Sequence, residues 1–136
     1  MPTVTPDPTG AHQPTSTGLA QNVAGLLTYV LGPITGIAFL VLEKENRFVR
    51  FHAAQSVAVG VALIVASIVL SVLTSILAFI PILGWLIAFV AGVGFSLLTF
   101  ALWLLLMYKA FQGEEWEVPL VGKYARQYVT PATPVV

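Results

Sequence analysis

Between Phe51 and Tyr108 the chain runs for fifty-eight residues without an Asp, Glu, Lys or Arg. Backbone N–H and C=O groups placed in lipid find no water, so a stretch this apolar is read as membrane-spanning helix, which closes its hydrogen bonds within itself. Composition agrees: 57% of the 136 residues are hydrophobic and only 9% are charged, against about 25% charged in ordinary soluble domains. The formal net charge is zero, and no run of Lys and Arg forms a phosphate-binding stripe, so nucleic acid is not expected as a partner. The absence of cysteine excludes disulfides, thiolate metal sites and Cys nucleophiles, and no cofactor is expected.

Within the apolar run Pro81 is the one strong breaker, which predicts two long helices, about 48–79 and 83–111, folded as an antiparallel hairpin. Both exceed the bilayer thickness and are expected to tilt or protrude. Upstream, residues 23–42 form a third apolar segment just long enough to cross a ~30 Å hydrocarbon core. Gly32-Pro33 in its middle predicts a kink, and a kinked span is favoured over a re-entrant hairpin because membrane helices tolerate Gly and Pro. Gly25, Gly32 and Gly36, with Thr28 and Thr35, offer it a close-packing face. The expected fold is therefore an all-α integral membrane protein with three transmembrane helices and a helical domain over residues 22–128. Residues 1–21, rich in Pro and Thr, read as a disordered tail in which His12 is solvated. Ser16 or Thr17 is the expected N-cap of the first span. Gly113 is the expected C-cap of the third, followed by a short interfacial helix at about 119–128 and a frayed tail over 129–136. No basic n-region precedes the first apolar segment, since the first cation is Lys44, so that segment is expected to remain in the mature protein.

The six Lys and Arg residues gather in two places, Lys44, Arg47 and Arg50 after the first segment and Lys109, Lys123 and Arg126 after the third. Three spans put all six on one side. The positive-inside rule then predicts a multi-pass protein of the cell membrane with the C-terminus in the cytoplasm and the N-terminus outside. A re-entrant first segment would move the N-terminus inside and leave the basic side unchanged.

Three groups of residues stand out. Glu43, Arg47, Arg50, His52 and Gln55 form a cytoplasmic polar cluster, with Glu43 and Arg47 spaced to pair on one helix. His52 and Gln55 point toward lipid, where a polar group is costly unless partnered, so hydrogen bonds within the bundle are expected of them. A proton relay is disfavoured because no second titratable group lies deeper. Small residues recur as a helix-packing seam: Ser56, Gly60, Ser67, Ser71 and Ser75 on the second helix, and Gly84, Ala88, Gly92 and Ser96 on the third. Trp103, Tyr108, Lys109 and Trp116 are the expected interface anchors. Glu114 and Glu117 read as solvated charges rather than an acid–base pair.

The segments LTYVLGPITGIAFLVLEKENRFVRFHAAQS, IPILGW and LLMYKAFQGEEWEVPLVGKYA, spread over residues 22–126, resemble a family of small prokaryotic membrane proteins, a domain of unknown function in the Tic-like superfamily. A distant relative in that superfamily is a subunit of the chloroplast inner-envelope protein import machinery. The resemblance implies a component of a protein translocation or conducting complex, while the charge count favours three spans over the plastid protein's four. With no nucleophile–base pair and no metal cluster visible, the residues themselves point to a non-enzymatic scaffold or accessory subunit of a membrane assembly. Its expected partners are lipids and either a second copy or another membrane protein.

Overall fold

The computed structural model describes residues 14–129, whose regular secondary structure is helical, with no strand among them. The expected tail over 1–13, His12 included, and the C-terminal residues from 130 onward lie outside them. Five helices follow in order: α1 (Gln21–Leu27), α2 (Pro33–Leu42), α3 (Arg47–Leu77), α4 (Leu83–Phe111) and α5 (Gly122–Val129).

The hairpin forms as the sequence predicts. Asn46 caps α3, its Oδ1 accepting from Val49 N–H at 3.1 Å. The turn at Pro81 is closed by Leu83 N–H on Pro81 O at 2.7 Å, with Ile82 at φ 64°. Gly84, in the first turn of α4, lies directly under Leu77 O, where a Cβ would sit 1.8 Å from that oxygen. Gly113, at φ 78°, closes the far end, and Glu114 N–H turns back to Lys109 O.

The first apolar segment departs from expectation. It is not one kinked span but two short helices of 7 and 10 residues, so among the described residues only α3 and α4 are long and apolar enough to cross a membrane. Gly32 breaks it at φ 60°, ψ −130°, a conformation closed to residues with a side chain, and Pro33 opens α2 at the position where its missing N–H costs nothing. The break is held by neighbours rather than by the dipeptide alone. Ser56 Oγ donates to Gly32 O at 2.8 Å, Thr35 Oγ1 donates to Thr28 O at 2.9 Å, and the Pro33 ring lies where a Cβ on Gly60 would be.

Beyond the break the chain returns. α1 runs alongside α3 from Gln21, whose Oε1 accepts from Asn46 Nδ2, to Tyr29 beside His52. α2 runs back from Pro33 against Gly60 to Arg50, whose Nη1 donates to Leu40 O and Glu43 O. The two helices form a V whose mouth lies at the Asn46 end of α3 and whose apex rests on Gly60. Ser16 does not cap α1, whose N-cap is Ala20 with no side-chain bond. It closes the mouth instead: its N–H and Oγ donate to the Glu43 carboxylate at 2.9 and 2.8 Å. Residues 14–21, expected to be part of a disordered tail, are thereby fixed at the same end of the hairpin as Phe111, whose carbonyl accepts from Asn22 Nδ2. The core sits at this end. Buried positions of α3 stop at Gly60, and α4 buries Gly84, Leu106 and Ala110.

Candidate functional site

Two side chains of α3, His52 and Gln55, organise the polar interior. Both are 0% exposed, and residues 114–118 cross directly over them. His52 Nε2 lies 3.0 Å from Glu114 O, which can only accept, so this nitrogen carries the proton. Nδ1 is then the acceptor for the Tyr29 hydroxyl at 2.9 Å. Gln55 Nε2 donates to Tyr29 Oη at 3.1 Å and to Trp116 O at 3.0 Å, while its Oε1 accepts from Val118 N–H at 3.1 Å. Every bond in this chain runs donor to acceptor with a neutral imidazole. A second ring proton would leave the Tyr29 hydroxyl with no acceptor. Phe48, Phe51 and Tyr29 stand edge-on around the ring, at centroid distances of 4.5, 5.1 and 5.6 Å. Trp103 Nε1–H donates to Tyr29 O at 2.7 Å and ties α4 to the break between α1 and α2.

Residues 114–118 are clamped from outside as well. Arg126 on α5 pairs with Glu115 at 2.9 Å and with Glu117, and its guanidinium lies 4.5 Å from the centre of the Phe51 ring. Burial works against its charge, but the two glutamates more than offset that and raise its pKa. Ala125 packs on Phe51 and Ala54. Gly122 passes so close to Gln55 that a Cβ would stand 2.6 Å from Oε1.

At the mouth of the V, Glu43 is 0% exposed and accepts from Ser16 N–H and Oγ, Glu45 N–H and Asn46 N–H. Burial pushes its pKa up. The hydrogen bonds from Asn46, Ser16 and Glu45 outweigh this and hold it below its ordinary value. Glu43 is the C-cap of α2 while Arg47 opens α3, so the expected pairing along one helix has no helix to run on.

The other marked residues divide. Ser56 and Gly60 seat the V on α3 rather than seating α4. Ser67, Ser71 and Ser75 turn their hydroxyls to carbonyls of their own helix. Ala88 is half-buried and Ser96 exposed, and a Cβ on Gly92 would meet nothing within 4 Å. Trp103 and Trp116, expected as interface anchors, are half-buried against Tyr29, Val59 and Leu106. Tyr108 is exposed, and Lys109 pairs with Glu114 at 2.7 Å. Glu114 and Glu117 are therefore ion-paired, not merely solvated. Tyr29 and the backbone of 114–118 were not singled out as site residues from sequence; only the cost of burying His52 and Gln55 signalled that such partners exist.

Among the described residues no buried side-chain N or O lacks a hydrogen bond. Under the break a cavity of about 340 Å³ opens between α3 and α4, lined by Pro33, Ser56, Gly60, Ser96, Thr99 and Phe100.

Two long apolar helices, exposed apolar side chains along their outer halves and a satisfied polar interior at one end define a small helical membrane protein. The profile described as the magnetosome magnetite crystal formation protein family matches residues 13–125, and the chain belongs to that family. It is also similar to a UPF0132 membrane protein of Methanocaldococcus jannaschii, at 46% identity over 114 residues covering 84% of this chain and 93% of the relative. A UPF0132 membrane protein of Archaeoglobus fulgidus is 43% identical over 111 residues, 82% of this chain and 97% of that one. No solved structure matches.

Proposed function

We propose that the protein is a non-enzymatic scaffold or accessory subunit of a membrane assembly, carrying a folded cytoplasmic end on a two-helix anchor. In this reading α3 and α4 cross the bilayer, and α1–α2 dips in and returns on the side it entered. All six cations then face the cytoplasm, as does the chain at residue 14. This replaces three crossings by two and brings both ends of the described chain to one side. The observation that carries the scaffold reading is the open outer half of the hairpin. From Val61 to Phe100 Gly84 alone is buried, Gly92 and Gly94 have room for a neighbour's side chain, and an apolar groove runs between Ala66, Leu73, Ala91 and Leu98. Small residues open to lipid let a second helix approach closely. Counting subunits by single-molecule photobleaching in native-lipid nanodiscs tests it: a defined oligomer or a stoichiometric membrane partner supports the reading, and isolated monomers overturn it.

The family's description speaks of magnetite crystal formation; for this chain we carry over only the membrane location that the names of the archaeal relatives state. Among the described residues no group of three or more His, Cys, Asp or Glu is placed to hold a metal ion. A second reading, translocation or conduction by resemblance to the Tic-like proteins, draws on the Ser56, Ser96 and Thr99 hydroxyls beside the cavity. Reconstituted vesicles that pass neither ions nor polypeptide, alone or with co-purified partners, remove it.

A further inference from the structure

The protein is much broader at one end than at the other. At the level of Asn46 to Gly60 four helices lie side by side, α1, α2, α3 and α4, with α5 against them; beyond Gly60 only α3 and α4 continue. α2 has 10 residues, about 15 Å of helix, half of a ~30 Å hydrocarbon core. Its outer face is apolar and uncovered, with Ile34, Ile37, Val41 and Leu42 each more than half exposed, as is Leu31 in the break before it. A helix of this length, starting at the apex against Gly60 and ending at the charged end, occupies one leaflet and leaves the other to the hairpin. Its depth is set by contacts at both ends: the Ser16–Glu43 bonds hold the mouth, and Pro33 on Gly60 with Ser56 on Gly32 O holds the apex.

We infer that the V formed by α1 and α2 is a one-leaflet wedge, and that the protein's partner surface is a bilayer curved convexly toward its cationic end. Each helix is about 10 Å across, so two extra helices widen the protein in that leaflet by roughly 150 Å² with no counterpart in the other. A flat bilayer must bend or compress around such an inclusion, whereas a leaflet already expanded by curvature accommodates it. The protein therefore concentrates on highly curved membrane, and at high density promotes it. This needs the crossing by α3 and α4 proposed above, but neither self-association nor a protein partner.

The full chain, labelled through a single cysteine in place of the exposed Lys44, is reconstituted in giant vesicles from which narrow tubes are drawn. Only molecules whose label is quenched from outside are counted, which selects those with the cationic end outward. The expected result is a several-fold higher density on the tube than on the vesicle body; equal density, or depletion from the tube, overturns the inference. I34D/I37D places charge on the lipid-facing side of α2 and is expected to abolish the enrichment; enrichment unchanged in a variant that still inserts overturns it. A polarity-sensitive dye on L31C gives a second measurement. An apolar signal protected from water-soluble quenchers is expected, and ready quenching overturns the inference even if both aspartates prevent folding. Labelling of I82C separates the two proposals. Access from the far side with no sorting removes the wedge alone, and access from the cationic side removes the crossing on which both rest.

Discussion

Replacing Gln55 by Leu keeps the approximate shape of the side chain and removes every hydrogen bond it makes. Val118 N–H, Trp116 O and the Tyr29 hydroxyl each lose a partner, and an unsatisfied buried group costs about 1–3 kcal/mol. Q55L is expected to destabilise the protein by about 2–4 kcal/mol in denaturation from micelles and to raise amide exchange across 114–122. S75A, whose hydroxyl is exposed and bonds its own helix, is expected to stay within about 0.5 kcal/mol. Glu43 supplies a pH dependence. Its folded pKa lies below the unfolded one, so its contribution is fully present above the unfolded value and is lost as pH falls through the folded value. Exchange protection over residues 14–20 is expected to hold at neutral pH and drop in acid. E43Q is expected to be loosened already at neutral pH, with the acid step gone. If wild type and E43Q show the same profile, the Ser16–Glu43 contact does not hold the mouth.

At the scale of elements, the glycines separate internal seams from open ones. A Cβ on Gly60 would fall 2.7 Å from the Pro33 ring, whereas on Gly92 it would touch nothing within 4 Å. G60V is expected to push α2 off α3 at a cost of about 1–3 kcal/mol, and G92V to leave monomer stability unchanged while weakening any association through α4. Thermal unfolding read beside subunit counting distinguishes the two. The hairpin was legible because Pro81 interrupts an otherwise uncharged run, and α4 begins and ends where the residues place it. Gly32-Pro33 was a weaker guide, since the same dipeptide serves a kink and a reversal. The deciding contacts, Ser56 to Gly32 and Ser16 to Glu43, lie 24 and 27 positions apart in the chain. Local pattern has no access to contacts of that range. For the same reason His52 and Gln55 were recognisable as groups in need of partners, but the carbonyls of Glu114 and Trp116 that satisfy them were not.

For the molecule as a whole, the natural lack of cysteine makes sidedness directly measurable. Single thiols replacing Lys44 and Lys123 are expected to react with an impermeant reagent from one compartment, and a thiol at Ile82 from the other. A Lys44 thiol that shares a side with Ile82 would refute the two-crossing arrangement. In the proposed arrangement the charge count is indifferent to the loss of the third span, because a V returning to its own side leaves every cation where an odd number of crossings would have put it. That return also bears on the order of assembly. The walls that hold α1 and α2, Phe48 against Gly25, Ala53 and Ser56 against Gly36, and the Gly60 notch under Pro33, all belong to a helix synthesised after them. A helix of 7 or 10 residues is too short to persist alone. α1 and α2 thus leave the ribosome before the helix that holds them, and with the crossing proposed above they are expected to reach their seat only after the hairpin behind them has been inserted.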